Sequence, residues 1–224
     1  MKQEMKLPFS PLVRWSALAF ILFIALVSVM VFRELTPDPM KNLPDFDEQL
    51  YREAQAANRE GKNNFLRYGK DSPLPDSLKP GFTDVTYYPV DLDYRVLADW
   101  QPLADPDTIR QPDGYTMTEA GWLTFRYGGA PHRLKAFQDK SANAGKVFIP
   151  FADSTTGRST YAGGRILDVT LLGDQAIVDF NQAYNPFCVF NYTYKCPIPP
   201  QENRLPFAVE AGEKNFHWPD SVLN

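Results

Sequence analysis

The chain has 224 residues, 20 of them proline, and a formal net charge of −4. Residues 1–33 carry Lys2, Lys6, Arg14 and Arg33 against Glu4, a balance of +3 that leaves −7 for the rest. An acidic body with no basic cluster excludes nucleic acid as the main partner, because affinity for phosphate backbones comes from grouped Lys and Arg.

The first element is the run WSALAFILFIALVSVMVF at residues 15–32, eighteen residues without a charge. At about 1.5 Å of helical rise per residue, it nearly crosses a hydrocarbon core. The reading adopted is an uncleaved transmembrane signal anchor over 15–33. The competing one is a cleaved signal peptide, but the following RELTPDP has no A-x-A pattern and no cysteine for lipid attachment. Lys2, Lys6 and Arg14 hold residues 1–14 in the cytoplasm, so the body is expected in the periplasm or outside the cell.

A proline-broken linker at 34–44 leads to a helix expected over 45–69. Asp45 with Glu48 resembles a capping box, and Phe46, Leu50, Ala54 and Ala57 follow helical spacing. From residue 84 the period changes to two. Tyr88, Val90, Leu92, Tyr94, Val96 and Ala98 alternate with more polar residues, as in a half-buried strand. Further strands are expected at 121–127, after GGAP through HRLKAF, at 146–153, 165–172 and 175–180, and at 205–211 with Leu205, Phe207, Val209 and Ala211 on one face. Such spacing indicates a mainly β, antiparallel sandwich or barrel-like domain over 45–215, with a short tail at 216–224.

Gly173-Asp174 suits a two-residue hairpin turn. That turn pairs Leu172 with Gln175, Leu171 with Ala176, Val169 with Val178 and Leu167 with Phe180. It also sets Asp168 opposite Asp179, and like charges across a sheet need compensation. An arginine such as Arg158 or Arg165, a cation or a shared proton could supply it; two carboxylates splayed into solvent are the plainer alternative.

The stretch DFNQAYNPFCVFNYTYKCPIPPQEN concentrates rings, amides and both cysteines. Outside the cytoplasm, Cys188 and Cys196 most simply form a disulfide. Closing so small a loop stabilises by about 2.5 kcal/mol in the chain-entropy model. No metal site is assigned: zinc is disfavoured by the spacing and by only two histidines, His132 and His217. TTGRSTYAGGR (155–165), with Arg158 and Arg165, is an anion nest or a set of turns, and lacks the Gly-Lys-Ser/Thr of a phosphate loop. PIPPQEN is an extended wall or a lid. Tyr161, Phe180, Tyr184, Phe187, Phe190, Tyr192 and Tyr194 line a pocket or fill the core. No hydrolase, zinc-protease, nucleotide or calcium motif is present, and no cofactor is indicated.

PFADSTTGRSTYAGGR, VDFNQAYNPFC, CPIPPQENRLP and AGEK resemble the linked signatures of the domain-of-unknown-function family numbered 1684. DSPLP, YYPVDLDYRVLA and GWLTFRYGG fit its weaker upstream pattern. The resemblance spans roughly 45–215 and implies a domain boundary rather than a reaction. It also implies exported or membrane-anchored relatives, in agreement with the anchor. One departure is Arg158-Ser159, where an acidic or lysine-containing pair is expected. The candidate polar site is Asp179, Asn181, Tyr184, Asn185, Glu202 and Asn203, with Asp168 and Arg165; these groups either serve a ligand or satisfy buried backbone. The expected function is a ligand- or partner-binding β domain. The rivals are a hydrolase using Asp179 with Asp168, Glu202 or Glu213, and a structural subunit of a membrane complex.

Overall fold

In the computed structural model, residues 46–138 and 145–218, together with Ile24, are described. The anchor expected at 15–33 lies, apart from Ile24, outside the described residues. Among those residues no helix is long and apolar enough to cross a membrane.

The helix expected over 45–69 is α1, Glu48–Tyr68. Its N-cap is Asp47 rather than Asp45: the Asp47 carboxylate accepts the Leu50 amide at 3.0 Å. The inward face also differs from expectation. Leu50 is 64% exposed and Ala54 and Ala57 are exposed, whereas Tyr51, Gln55, Arg59, Lys62 and Leu66 turn inward. The reason is polar. Tyr51 donates to Asp179 at 2.7 Å, Arg59 donates to the Tyr88 carbonyl at 3.0 Å, and Lys62 pairs with Glu213. Two alanines bury too little apolar surface to outweigh these contacts.

Seven strands follow: β1 Arg95–Pro102, β2 Thr108–Arg110, β3 Thr116–Tyr127, β4 Ala130–Gln138, β5 Lys146–Phe151, β6 Arg165–Leu172 and β7 Gln175–Asp179. Their order is β1-β7-β6-β5-β4-β3-β2, and β1 also pairs with β3. That extra pairing closes six antiparallel strands into a barrel and leaves β2 as an extension of β3. Long β3 serves both neighbours, with a bulge between Glu119 and Gly121 on its β4 side. The barrel is filled by Leu123, Phe125, Leu134, Ile149, Phe151, Leu167, Val169, Val178 and Phe180, among others. A second cluster, including Leu66, Phe82, Val189, Phe190 and Phe216, lies under the end of α1.

Three expected strand features differ. Residues 88–94 are not strand: Asp91 caps a short 3-10 turn over Leu92–Tyr94, and β1 starts at Arg95. The Gly173-Asp174 hairpin keeps Leu172 opposite Gln175 and Leu171 opposite Ala176, but no further pairs follow. β7 leaves β6 for β1, and Tyr184 takes its place by exchanging hydrogen bonds of 2.9 Å with Ile166. Asp168 therefore lies across from Phe148, and Asp179 across from Arg95. The like-charge pair never forms. Finally, 205–211 buries Leu205, Val209 and Ala211 as expected, yet it is no strand: Leu205 and Phe207 bond to the backbone of Ala152 and Ser154, the chain bends at 206–207, and the carbonyls of Val209 and Ala211 accept from Arg165.

Small closed barrels must still satisfy backbone groups where strands part. β4 and β5 share one register pair, Phe137 with Phe148. Beyond it, the Asn203 side chain accepts from the Lys135 amide at 2.7 Å and donates to the carbonyls of Lys135 and Pro150 at 2.8 Å each. Replacing Asn203 with alanine strands all three groups. The expected loss is about 3 kcal/mol, read as a lower urea midpoint at unchanged m-value.

Candidate functional site

Arg165 opens β6, with a side chain 0% exposed. It pairs with Asp153 at 3.0 Å and donates to the carbonyls of Val209 at 2.8 Å, Glu213 at 3.1 Å, and Ala211. Asp153 in turn accepts from the Thr155 amide and hydroxyl and from the Val209 amide. Burial pushes the Arg165 pKa down, and Asp153 opposes that shift. The expected compensation of Asp168 or Asp179 by Arg158 or Arg165 is thus not found: Arg165 faces Asp153, and Arg158 is exposed. The Gly-rich loop is closed on itself by a Thr155–Thr160 hydroxyl bond of 2.9 Å. At Gly164, φ is +86° and a Cβ would lie 2.6 Å from the Phe151 carbonyl and from Pro199, so only glycine fits.

Asp179 is buried and fully engaged. It accepts from Tyr51, from the Asn181 amide and side chain at 3.1 Å each, and from Gln182 at 3.1 Å, with Arg95 at 3.8 Å. Burial, then the Asp179 charge, pushes the Tyr51 pKa up. Asn181 forms a two-point bond with the Asp91 backbone, at 2.9 Å to its amide and 2.7 Å to its carbonyl. The Asn185 amide donates to Glu213 at 2.8 Å, and its side chain donates to the Lys214 carbonyl at 2.8 Å. Glu213 is 1% exposed and also holds Lys62 and the Tyr87 hydroxyl. Glu202 is exposed and, among the described residues, its carboxylate reaches only Lys135, at 3.6 Å. Tyr184 donates to both Asp168 oxygens at 3.2 Å.

The candidate residues therefore do not converge on one space. Asp179, Arg165 and the Glu202–Asn203 pair each hold a separate set of partners. Sequence reasoning missed the groups that complete them: Tyr51, Lys62, Arg95 and Asp153. Only Asp153 carried a local signal, as the first residue of an Asp-x-Thr turn.

The remaining chemistry lies on the stapled loop. Cys188 and Cys196 are bonded, with Cα atoms 5.7 Å apart. The loop stands beside an open recess of about 440 Å³ lined by Asp113, Tyr161, Tyr192, Tyr194 and Lys195. Tyr192 is 90% exposed and Tyr194 is 42% exposed. Among the described residues no group of acidic, histidine and cysteine side chains is arranged to hold a metal ion.

The model of the protein family of unknown function DUF1684 matches residues 80–214. The chain belongs to that family. A solution NMR structure of an uncharacterised protein from Haloarcula marismortui is similar, with 33% identity and a TM-score of 0.60 over 76% of this chain and 97% of that one. No curated protein matches. The DUF1684 match contains every candidate polar residue and the disulfide, and it begins after α1.

One titration is accessible. Although Asp168 is exposed, partial shielding of its carboxylate raises its pKa, against the lowering effects of the Tyr184 hydroxyl, Lys146 and Lys62. A carboxyl raised in the folded state stabilises fully below its unfolded pKa, and that contribution fades as pH rises through the folded value. Carboxyl NMR should place the Asp168 midpoint above the usual aspartate range. Asp168→Asn should flatten the stability decline just above that range.

Proposed function

We propose that this DUF1684 protein is a membrane-tethered, extracytoplasmic barrel domain that binds a ligand or partner through its stapled loop and performs no chemistry itself. The observation that carries this reading is where the polar groups are spent. Asp179, Asn181, Asn185, Asn203, Arg165 and Glu213 bond to backbone or to one another in the interior, with only Asn185 Oδ1 and Arg165 Nε among their buried polar atoms left without a partner among the described residues. By contrast, Tyr192 and Lys195 reach solvent with no hydrogen bond from their side chains to any described residue. A rigid loop that presents unspent aromatic and polar groups around a recess has the composition of a binding surface. The tether is the uncharged run at 15–32, and the basic residues before it set the orientation.

The hydrolase reading requires carboxylates that converge in a concave site. Asp179, Glu202 and Glu213 have separate partners, which argues against it. A subunit of a membrane complex is favoured by one observation, the outward face of α1, where Leu50, Phe65 and Tyr68 are 64%, 39% and 75% exposed.

The test uses the full chain in its own membrane. Carbonate washing should leave it in the membrane fraction, and protease added outside the cytoplasmic membrane should cut the body. The purified chain should not turn over ester, phosphoester or glycoside substrates. A soluble chain would contradict the tether. Turnover abolished by Asp168→Asn would favour the hydrolase. Co-purification of a stoichiometric subunit released by Leu50→Glu would favour the complex.

A further inference from the structure

The stapled loop is built as a stiff platform. Besides the disulfide, the Asn191 side chain accepts from the Thr193 amide at 3.0 Å and from its hydroxyl at 2.9 Å, and donates to the Pro73 carbonyl at 3.0 Å. Gln111 clamps the far end, donating to the Ile198 carbonyl at 2.8 Å and accepting its amide at 3.1 Å. Phe187 and Tyr194 meet edge to face at 5.7 Å, which fixes the Tyr194 ring. Little ordering remains to be lost when something binds here.

The platform presents two kinds of group. Tyr192 and Tyr194 offer exposed ring surface with hydroxyls that bond to no described residue. Tyr161 forms a wall, its hydroxyl 3.8 Å from the Cys196 sulfur. Beside these rings stand one carboxylate and one ammonium. Among the described residues the Asp113 carboxylate accepts only the Tyr115 amide, through one oxygen, and Lys195 has no ion pair. Gly114 lets Lys195 lie across this turn, since a Cβ there would come within 2.9 Å of the ammonium. The two charges cancel, so a charged ligand would gain from one and lose to the other.

A ligand that fits has an apolar face for the rings, a rim of groups that both donate and accept, and no net charge. We infer that the recess takes a neutral saccharide, with its C–H face on Tyr192 or Tyr194 and its hydroxyls on Asp113 and Lys195. The recess is open, so the sugar is engaged as one or two units of a chain rather than enclosed. This inference rests on the binding role proposed for the loop.

The test uses the full chain in lipid nanodiscs, free of sugar detergents. Its probes are maltohexaose, cellohexaose and an N-acetylglucosamine hexamer, followed by aromatic NMR signals. At least one should shift the Tyr192 resonances with a dissociation constant in the millimolar range or tighter. Tyr192→Ala should weaken that binding by about tenfold. Tyr68→Ala, at an exposed tyrosine on α1, should leave it unchanged. If no probe moves Tyr192, or if Tyr192→Ala leaves the affinity as it was, the saccharide assignment is overturned. A proline-rich peptide that binds with dependence on Tyr192, where no sugar does, would overturn the sugar and leave the loop as the binding surface. Equal weakening by both tyrosine variants would also overturn it, because the site would then not lie in the recess.

Discussion

Arg165 is the residue on which the last part of the chain depends. The segment after Leu205 has the alternation of a strand, and backbone amides reach its Phe207 and Gly212 carbonyls, but none reaches those of Val209, Ala211 and Glu213 among the described residues. A single buried guanidinium accepts that role for Val209, Ala211 and Glu213, and Asp153 neutralises it. Removing either partner of such a pair leaves a buried charge, which is far costlier than losing a surface ion pair. Because Glu213 follows directly, the same segment delivers a carboxylate to Lys62 on α1. The helix is thereby linked to the barrel through the strap that Arg165 holds.

The same device recurs with amides. Gln111, Asn181 and Asn203 each bond to both the N–H and C=O of one residue, namely Ile198, Asp91 and Lys135. A carboxamide side chain is a copy of a peptide group, so it can stand in for a missing ladder partner. A six-stranded barrel with short pairings at β4–β5 and β6–β7 has several gaps of this kind. The amide-rich stretch from Asp179 to Asn203 supplies two of the three plugs. The places of Asn181 and Asn203 in that stretch are therefore explained by the fold.

The parts of this arrangement that were legible in the sequence follow local rules. Period-two alternation located β3, the GGAP turn located β4, a short apolar run located β5, Gly173-Asp174 located the turn between β6 and β7 and its first two pairs, and the cysteine pair was visible from its spacing. The illegible parts depend on distant partners. Nothing near Asp179 announces that Tyr51 and Arg95 will surround it, so a like-charge conflict with Asp168 was expected where none exists. The inward face of α1 was misjudged because periodicity weighs alanines, whereas the barrel selects Tyr51, Arg59 and Lys62 for their reach. The strap at 205–211 has the inward alternation of a strand, and alternation does not reveal that Arg165 donates to its carbonyls.

Native-state hydrogen exchange on the amides of Asp91, Lys135, Asn185, Ile198 and Val209 tests this account most directly. Each donates to a side chain rather than to a ladder carbonyl. If these side chains complete the barrel, their amides exchange only on global unfolding, as slowly as those of Leu123 or Val178 in the core strands. If they exchange at loop rates while the strand amides stay protected, the acceptor side chains Asp153, Gln111, Asn181, Asn203 and Glu213 are not holding the fold, and a functional role for them returns.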